Sequence, residues 1–280
     1  MNKKLKLAVC QNKVIADKDK NLLKMKKMIA KAVKQGVELI ILPEMFNCPY
    51  DNHYFPIYSE EIPGGKTYEF LSKQAKEHNI YLIGGSIPET VVEDKDEKLY
   101  NTSLIFGPDG KLLDKHRKIH LFDVDLSDGV TFLESNTLSY GEKVTVVETE
   151  LINIGVAICY DLRFPELMRL MVDKGAEMII IPGAFNTVTG PAHWETLLKA
   201  RAVDNQVFVV GASPARNLEA DYHAYGHSMI IDPWAEKLHE AGSKEDVIIQ
   251  EIDLTKLEKI REELPLLKHR RSDLYKLEEI

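Results

Sequence analysis

Three side chains with complementary chemistry follow apolar segments at distant points of the sequence: Glu44 in "ILPEMF", Lys118 in "HRKIHLFD" and Cys159 in "GVAICYDLR". A thiol with an ordinary pKa of about 8.5 is a weak nucleophile unless a base or a cation activates it. A carboxylate could take the thiol proton and later return it to a leaving amine. An ammonium could stabilise the developing oxyanion, with the backbone N–H of Tyr160 as a second donor. If the three side chains meet, the sequence predicts nucleophilic catalysis by cysteine.

Each of the three residues also has an ordinary structural interpretation. A free cysteine often fills a core, Glu44 could start a loop or helix, and Lys118 could belong to a solvated basic cluster at 115–118. A cysteine–histidine pair is the natural competitor, because the chain has nine histidines, but the spacing singles out none of them. These alternatives stay open at the level of the residues alone.

No metal or cofactor is expected. The histidine in "HWE" at 193–195 lacks HExxH spacing, and the three cysteines at positions 10, 48 and 159 form neither a CxxC pattern nor a disulfide framework. The glycines of "YLIGGS" and "GPDG" match neither GxGxxG nor a P-loop and are typical of turns.

The elements that must position these residues alternate between apolar runs and charged helical stretches. The runs that predict strands are "LKLAVCQ", "ELIILPE", "NIYLIGGS", "NTSLIFG", "INIGVAIC", "EMIIIPG", "QVFVVGAS", "HSMIIDP" and "DVIIQEI". Many are apolar throughout, so both faces of the sheets should be covered, which predicts an α/β fold with helices outside a central sheet assembly. Sites in such folds form beyond the carboxyl ends of strands, where Glu44 and Cys159 lie.

The two halves of the chain resemble each other in sequence. "GVELIILPEMFN" at 36–47 is similar to "GAEMIIIPGAFN" at 175–186. "YLIGGS" and "SLIFGPDGKL" are then followed, in the same order, by "FVVGAS" and "SMIIDPWAEKL" in the second half. Because no low-complexity linker separates the halves, we expect one domain over 1–280 with two pseudo-symmetric halves. The halves differ at one position of interest, where Glu44 of the first half is matched by Gly183 of the second.

Composition narrows the class of partner. The chain has 280 residues, 44% of them hydrophobic, and a formal net charge of −8. The negative charge argues against an obligate nucleic-acid-binding protein and against a basic protein that binds membrane surfaces. The start, "MNKKLKLAVCQNK", is too short in its apolar part for a signal peptide, and no stretch approaches the roughly 20 apolar residues of a membrane span. We expect a cytoplasmic protein whose partners are small molecules or other subunits, with no nucleic acid and no membrane.

With these three motifs in this order, the sequence resembles the nitrilase superfamily of carbon–nitrogen hydrolases from about residue 5 to about residue 275. The resemblance implies a four-layer αββα sandwich that becomes eight-layered in a homodimer. It also implies that Glu44 is the general base, Cys159 the nucleophile and Lys118 the stabiliser of the tetrahedral intermediate. "TFLES" is similar to the family segment with a second glutamate, which assigns Glu134 a supporting role. The charged C-terminal tail from about residue 260 is expected at the subunit interface.

Within the superfamily, "FNCPY", "LYNTSLIFGPDG", "GAFNTVTGPAHWE" and "ASPAR" are most similar to the ω-amidase branch. That resemblance implies hydrolysis of the terminal amide of 2-oxoglutaramate or 2-oxosuccinamate, giving a dicarboxylate and ammonia. A small anionic amide needs a fixed cation and hydroxyl donors in its pocket. The residues assigned to substrate binding are Tyr50, Tyr160, Arg163, Phe185, Thr187 and Thr189, and Pro191 is expected to begin a helix whose N-terminus favours a nearby anion.

Several alternatives remain beside this interpretation. Arg163 could instead form an ion pair with a nearby acid, and the two threonines could be turn or cap residues. The same three catalytic residues could serve another amidase of the superfamily, acting on deaminated glutathione or on an N-carbamoyl amine, or the chain could be a scaffold protein without catalysis. The sequence also departs from the family pattern, with His116 in place of an expected tyrosine and Cys48 in place of an expected serine.

Overall fold

The computed structural model describes residues 4–93, 96–125 and 131–280. The strands are β1 (Lys4–Gln11), β2 (Leu39–Ile41), β3 (Tyr81–Ile83), β4 (Ile87–Glu93), β5 (Asp96–Phe106), β6 (Leu112–Arg117), β7 (Asp123–Asp125), β8 (Thr131–Leu133), β9 (Thr145–Val147), β10 (Ile154–Val156), β11 (Met178–Pro182), β12 (Phe208–Ala212), β13 (Met229–Ile231), β14 (Lys237–Glu240) and β15 (Asp246–Asp253). The helices are α1 (Lys18–Val33), α2 (Tyr54–Tyr58), α3 (Lys66–His78), α4 (Pro165–Asp173), α5 (Thr189–Asn205) and α6 (Thr255–Glu263), with 3₁₀ turns at Glu134–Asn136 and Cys159–Arg163.

The strands form two large sheets. The first has the order β15-β1-β2-β3-β5-β4, with β6 also paired to β5, and the second has the order β14-β13-β12-β11-β10-β9. Each sheet contains three parallel strands, β1-β2-β3 in one and β10-β11-β12 in the other, with antiparallel neighbours on both sides. Strands β7 and β8 form a separate antiparallel pair. Every apolar run that predicts a strand in the sequence is a strand in the structure.

Three apolar layers hold the sheets and helices together. The inner faces of the two sheets pack on each other through side chains such as Leu7 and Ile180. The outer face of the first sheet is covered by α1 and α3, and that of the second by α4 and α5. Asp17 caps the N-terminus of helix α1, because its side chain accepts the Lys20 N–H at 3.0 Å, and the buried face of the helix packs on the sheet. The predicted four-layer αββα sandwich is therefore confirmed.

The repeat in the sequence corresponds to a repeat in topology. Strands β2, β3 and β5 occupy the same relative places in the first sheet as β11, β12 and β13 in the second. The contrast between Glu44 and Gly183 has a steric reason. A Cβ on Gly183 would lie 3.0 Å from the Trp194 ring and 3.3 Å from the Cys159 Cα, so the second half has no room for a side chain there.

Short or charged strands and one helix start differ from the prediction. Strands such as β4 ("IPETVVE") and β6 ("LLDKHR") carry too much charge to stand out as apolar runs, and neighbouring strands stabilise them. Helix α5 begins at Thr189, two residues before Pro191, because the Asn186 side chain caps it earlier.

The C-terminal tail packs on its own chain through an ion pair of Lys174 with Glu279 at 2.5 Å. Its predicted place at a subunit interface stays a prediction.

Candidate active site

Lys118 lies at the centre of a buried group of charged side chains. It directly follows β6, and Lys118, Glu44 and Glu134 all have no exposed surface. The Lys118 Nζ donates to Glu44 Oε1 at 3.0 Å and to Glu134 Oε1 at 2.9 Å. Because an unpaired buried ammonium is strongly unfavourable, the two carboxylates fix both the charge and the position of Lys118.

The Glu44 carboxylate is held from several sides. Besides Lys118, its Oε1 accepts a hydrogen bond from Asn101 Nδ2 at 2.8 Å, and its Oε2 accepts the backbone N–H of Ala184 at 2.7 Å. Asn101 belongs to β5 of the first sheet, and Ala184 directly follows the turn at the end of β11 in the second. The contacts from both sheets therefore fix the orientation of Glu44 before any substrate arrives.

Cys159 lies just beyond the carboxyl end of β10, where a 3₁₀ turn begins. Its backbone φ is +48°, in the left-handed region that residues with a side chain seldom adopt, and such a conformation persists only where its surroundings enforce it. Asp161 supplies part of that enforcement, because its Oδ2 accepts the Ile158 N–H at 2.9 Å. The cysteine is only 5% exposed, and the negative charge of Glu44 acts on its thiol.

The charges around Cys159 keep its thiol protonated at rest. Burial, followed by the negative charge of Glu44, raises the pKa of Cys159 well above its usual value, and Lys118 only partly opposes this. Burial also raises the pKa of Glu44, while the nearby Lys118 charge lowers it. For Lys118, burial alone would lower the pKa, but the charges of Glu134 and Glu44 outweigh burial and raise it. A neutral thiol beside a carboxylate of raised pKa is the arrangement that general-base catalysis requires.

Glu134 is the second carboxylate that holds Lys118. Its Oε2 accepts the Phe122 N–H at 2.7 Å, and its Oε1 accepts the Tyr50 hydroxyl at 2.7 Å as well as Lys118. The Tyr50 hydroxyl oxygen also lies 3.4 Å from Lys118 Nζ. The structure therefore gives the Tyr50 hydroxyl a contact with the charged group, whereas the sequence assigned it to substrate.

His116 and His120 flank Lys118 in the sequence, and both contact Asp161. Oδ1 of Asp161 lies 2.8 Å from the backbone N and 2.8 Å from Nδ1 of His120, and Oδ2 lies 3.3 Å from Nε2 of His116. Burial opposes ionisation of Asp161, but these hydrogen bonds outweigh it and hold its pKa far below the usual range. Because Asp161 also holds the turn at Cys159, it connects the segment of Lys118 to that of the thiol.

Cys159 borders a small cavity. Of the residues that the sequence assigns to substrate binding, Tyr160, Arg163, Phe185 and Thr189 line this cavity. Thr187 is exposed and is not part of the lining, because it lies on the outer side of the turn before α5.

Arg163 is the cation of this cavity. Its guanidinium lies 4.9 Å from the centre of the Phe185 ring and 5.6 Å from that of Tyr160. Its Nη1 is 3.2 Å from Nδ1 of the exposed His193, and its buried Nε has no hydrogen-bond partner among the residues that the structure describes. Throughout 4–93, 96–125 and 131–280, no carboxylate lies within ion-pair distance of Arg163, so the alternative of a structural ion pair is not found.

A larger cleft lies on the other side of Tyr222. The Tyr222 hydroxyl donates to the Ala184 carbonyl at 2.5 Å, and its ring centre is 4.6 Å from that of Tyr50. Both Tyr222 and Ala184 border the cavity of Cys159 and also this cleft of about 990 Å³. Glu44, Cys48 and Tyr50 line the cleft but not the cavity.

Among the residues that the structure describes, no group of three or more histidine, cysteine or acidic side chains is arranged to hold a metal ion. Over the same residues, no helix has the length and apolar character needed to cross a membrane.

Comparison with known proteins agrees with this geometry. The family model for carbon–nitrogen hydrolases matches residues 6–262. The chain belongs to the carbon–nitrogen hydrolase family. The omega-amidase NIT2 of Mus musculus is 51% identical over 273 residues, covering 98% of this chain and 97% of that protein. The omega-amidase NIT2 of Xenopus tropicalis is 53% identical over 276 residues, covering 99% of this chain and 98% of that protein.

A solved structure places this carbon–nitrogen hydrolase within the nitrilase superfamily. Saccharomyces cerevisiae Nit3, described as a member of branch 10 of that superfamily, superposes with a TM-score of 0.88 at 46% identity. The match covers 96% of this chain and 97% of the yeast protein. The predicted superfamily and the predicted enzyme class are both confirmed.

Sequence reasoning missed several residues of the site in this hydrolase. Tyr222 lies outside the motifs, and Asn101 lies within "LYNTSLIFGPDG" but was given no role; only the fold brings them to Ala184 and Glu44. Asn186 also lines the cavity of Cys159. The signal for Asn186 was present but ambiguous, because "FN" occurs at the end of the repeated segment in both halves and therefore looked structural.

Proposed function

We propose that this carbon–nitrogen hydrolase is an ω-amidase that converts 2-oxoglutaramate or 2-oxosuccinamate and water into the 2-oxo dicarboxylate and ammonia. One observation carries the proposal. The nucleophile Cys159 and the guanidinium of Arg163, which has no carboxylate partner among the described residues, line the same small cavity. The relatives that are half identical over nearly the whole chain are omega-amidases.

The first half of the reaction forms a thioester. Glu44 takes the thiol proton as Cys159 Sγ attacks the amide carbon, because burial has raised the pKa of both groups and the thiolate is not present at rest. The oxyanion receives hydrogen bonds from Lys118 and from the Tyr160 N–H, which lies in the first turn of its 3₁₀ segment and has no acceptor within that segment. Glu44 then returns the proton to the nitrogen, the C–N bond breaks, and ammonia leaves.

The second half hydrolyses the thioester. Water enters after ammonia departs, and Glu44 takes its proton as the hydroxide attacks the acyl carbon. Lys118 again stabilises the tetrahedral intermediate, since the Glu134 carboxylate keeps it charged while Glu44 carries the proton. The intermediate collapses with loss of the Cys159 sulfur, which takes the proton back from Glu44. One base therefore serves both halves, and no cofactor takes part in these steps.

The charge of the cavity lining favours an anionic acyl group. Arg163 supplies the charge that a carboxylate at the far end requires. The scaffold alternative fits poorly, since it gives no reason to bury a base, an ammonium and a thiol in contact.

A substrate panel tests the proposal. Ammonia release is measured with 2-oxoglutaramate, glutamine, a simple nitrile and an N-carbamoyl amine, using wild type and Cys159→Ala. We expect release from 2-oxoglutaramate by wild type alone. Release only from another compound would refute the ω-amidase assignment while keeping the catalytic residues, and silence on all four would favour the scaffold. We further propose that the protein is a cytoplasmic homodimer, which sedimentation analysis and cell fractionation would test.

A further inference from the structure

Asn186 lines the cavity of Cys159 with a buried side-chain NH₂ that has no partner among the described residues. The residue is 5% exposed and lines the cavity together with Cys159 and Arg163. Its Nδ2 has no hydrogen-bond partner within the described part of the chain. A buried donor without a partner costs about 1–3 kcal/mol, so it is retained where a ligand uses it.

The orientation of this amide is fixed by its other end. Oδ1 of Asn186 accepts the N–H of Val188 at 3.0 Å, the N–H of Thr189 at 2.8 Å and the hydroxyl of Thr189 at 3.0 Å. If the amide were flipped, its NH₂ would face both N–H groups, and the oxygen would lose these donors. The backbone is held too, because the Asn186 carbonyl accepts the Gly190 N–H at 2.8 Å and Asn186 pairs with Ala224 in an isolated bridge.

The matching asparagine in the other half of the fold provides a comparison. Asn47 occupies the same place in the repeated segment as Asn186. Its Nδ2 donates to the Thr67 hydroxyl at 3.0 Å and is therefore used within the protein. The amide NH₂ is thus engaged in the half without the thiol and free in the half that carries it.

We propose that Asn186 is a specificity-determining residue that donates a hydrogen bond to the oxo-acid end of the substrate. This inference rests on the proposed function. The 2-oxo and carboxylate groups of an oxo acid carry only acceptor oxygens, and they meet the Nδ2 of Asn186 and the unpartnered Nε of Arg163. An amino-acid amide such as glutamine has an ammonium in place of the 2-oxo group. Two fixed donors repel that ammonium, so the cavity selects oxo amides and rejects glutamine.

Asn186→Asp tests the inference while preserving the start of α5. One carboxylate oxygen still accepts from Val188 and Thr189, but the other now places an acceptor where the donor was. We expect the ratio of kcat/KM for 2-oxoglutaramate over glutamine to fall by about a hundredfold or more. Asn79→Asp adds the same charge on the surface, remote from the cavity, and should leave the ratio unchanged.

The outcomes separate the two proposals. If wild type releases ammonia from 2-oxoglutaramate and Asn186→Asp keeps the wild-type ratio, the role of Asn186 is refuted and the ω-amidase assignment stands. If wild type is silent on 2-oxoglutaramate, both are overturned. Should Asn186→Asp fail to fold, Asn186→Ser keeps a capping oxygen without the cavity donor, and we expect about a tenfold fall in the ratio. An unchanged ratio in Asn186→Ser would equally refute the inference.

Discussion

Replacing Glu44 with glutamine removes the proposed proton acceptor and leaves most of the site in place. An amide oxygen in the position of Oε1 still accepts from Asn101 and Lys118, as the carboxylate does at 2.8 and 3.0 Å. In the wild type, the Ala184 N–H donates to Oε2 of Glu44 at 2.7 Å. In the variant, the glutamine NH₂ faces this N–H, and the hydrogen bond is lost. One such lost hydrogen bond costs about 1–3 kcal/mol in the free energy of unfolding, so we expect Glu44→Gln to fold.

The effect on turnover should be far larger than the effect on stability. General acid–base catalysis typically contributes about 10²- to 10⁴-fold, and Glu44 is proposed to act in both halves of the reaction, so we expect kcat to fall about ten-thousandfold. The thiol should respond in the opposite sense. Because the negative charge of Glu44 raises the pKa of Cys159, its removal should lower that pKa.

Two assays on the same variant test this contrast. Ammonia release gives kcat, and the ultraviolet absorbance of the thiolate across a pH series gives the pKa of Cys159. Both are measured in a background where Cys10 and Cys48 are replaced by serine. The reasoning is refuted if Glu44→Gln keeps kcat within a few fold of wild type, or if its Cys159 titrates at a higher pH than in the parent.

Two further substitutions test the residues that hold Lys118 and Cys159. Glu134→Gln should lower the free energy of unfolding, measured by urea denaturation, by about 3–5 kcal/mol. The reason is that one amide cannot accept from Phe122, Tyr50 and Lys118 together. It should also move the acid limb of kcat/KM to lower pH, because the charge of Glu134 raises the pKa of Glu44 and only ionised Glu44 is active. Asp161→Asn should lower the free energy of unfolding by about 3 kcal/mol at neutral pH. The depressed pKa of Asp161 stabilises the fold above the usual aspartate value of about 3.9, so the difference from wild type should shrink below that pH. Unchanged stability or an unmoved acid limb would contradict these roles.

The sequence was sufficient for the architecture because the central strands are apolar on both faces. Runs such as "EMIIIPG" can be buried only between covered layers, and their order in the two halves carries over to the order of strands in the two sheets. Strand β6 could not be predicted in this way. Its charged residues show no apolar period, and only the pairing with β5 makes them a strand.

The residues proposed to be catalytic could be found from the sequence, whereas the residues that hold them in place could not. Glu44 and Cys159 end apolar strands, which is a local signal. The contact of Tyr50 with Glu134 joins residues that are distant in the chain, so no local pattern encodes it. Thr187 shows the converse problem, since its hydroxyl had suitable chemistry but the turn before α5 leaves it exposed.

The most direct test of the account is the covalent intermediate on Cys159. Wild-type protein is mixed with 2-oxoglutaramate, quenched in acid during turnover, and analysed by intact and peptide mass spectrometry, with Cys159→Ala in parallel. We expect an adduct with the mass of the 2-oxo acyl group on the peptide containing Cys159, and neither adduct nor ammonia release from Cys159→Ala. Ammonia release by Cys159→Ala, or an adduct on another residue, would contradict the assignment of Cys159 as the nucleophile.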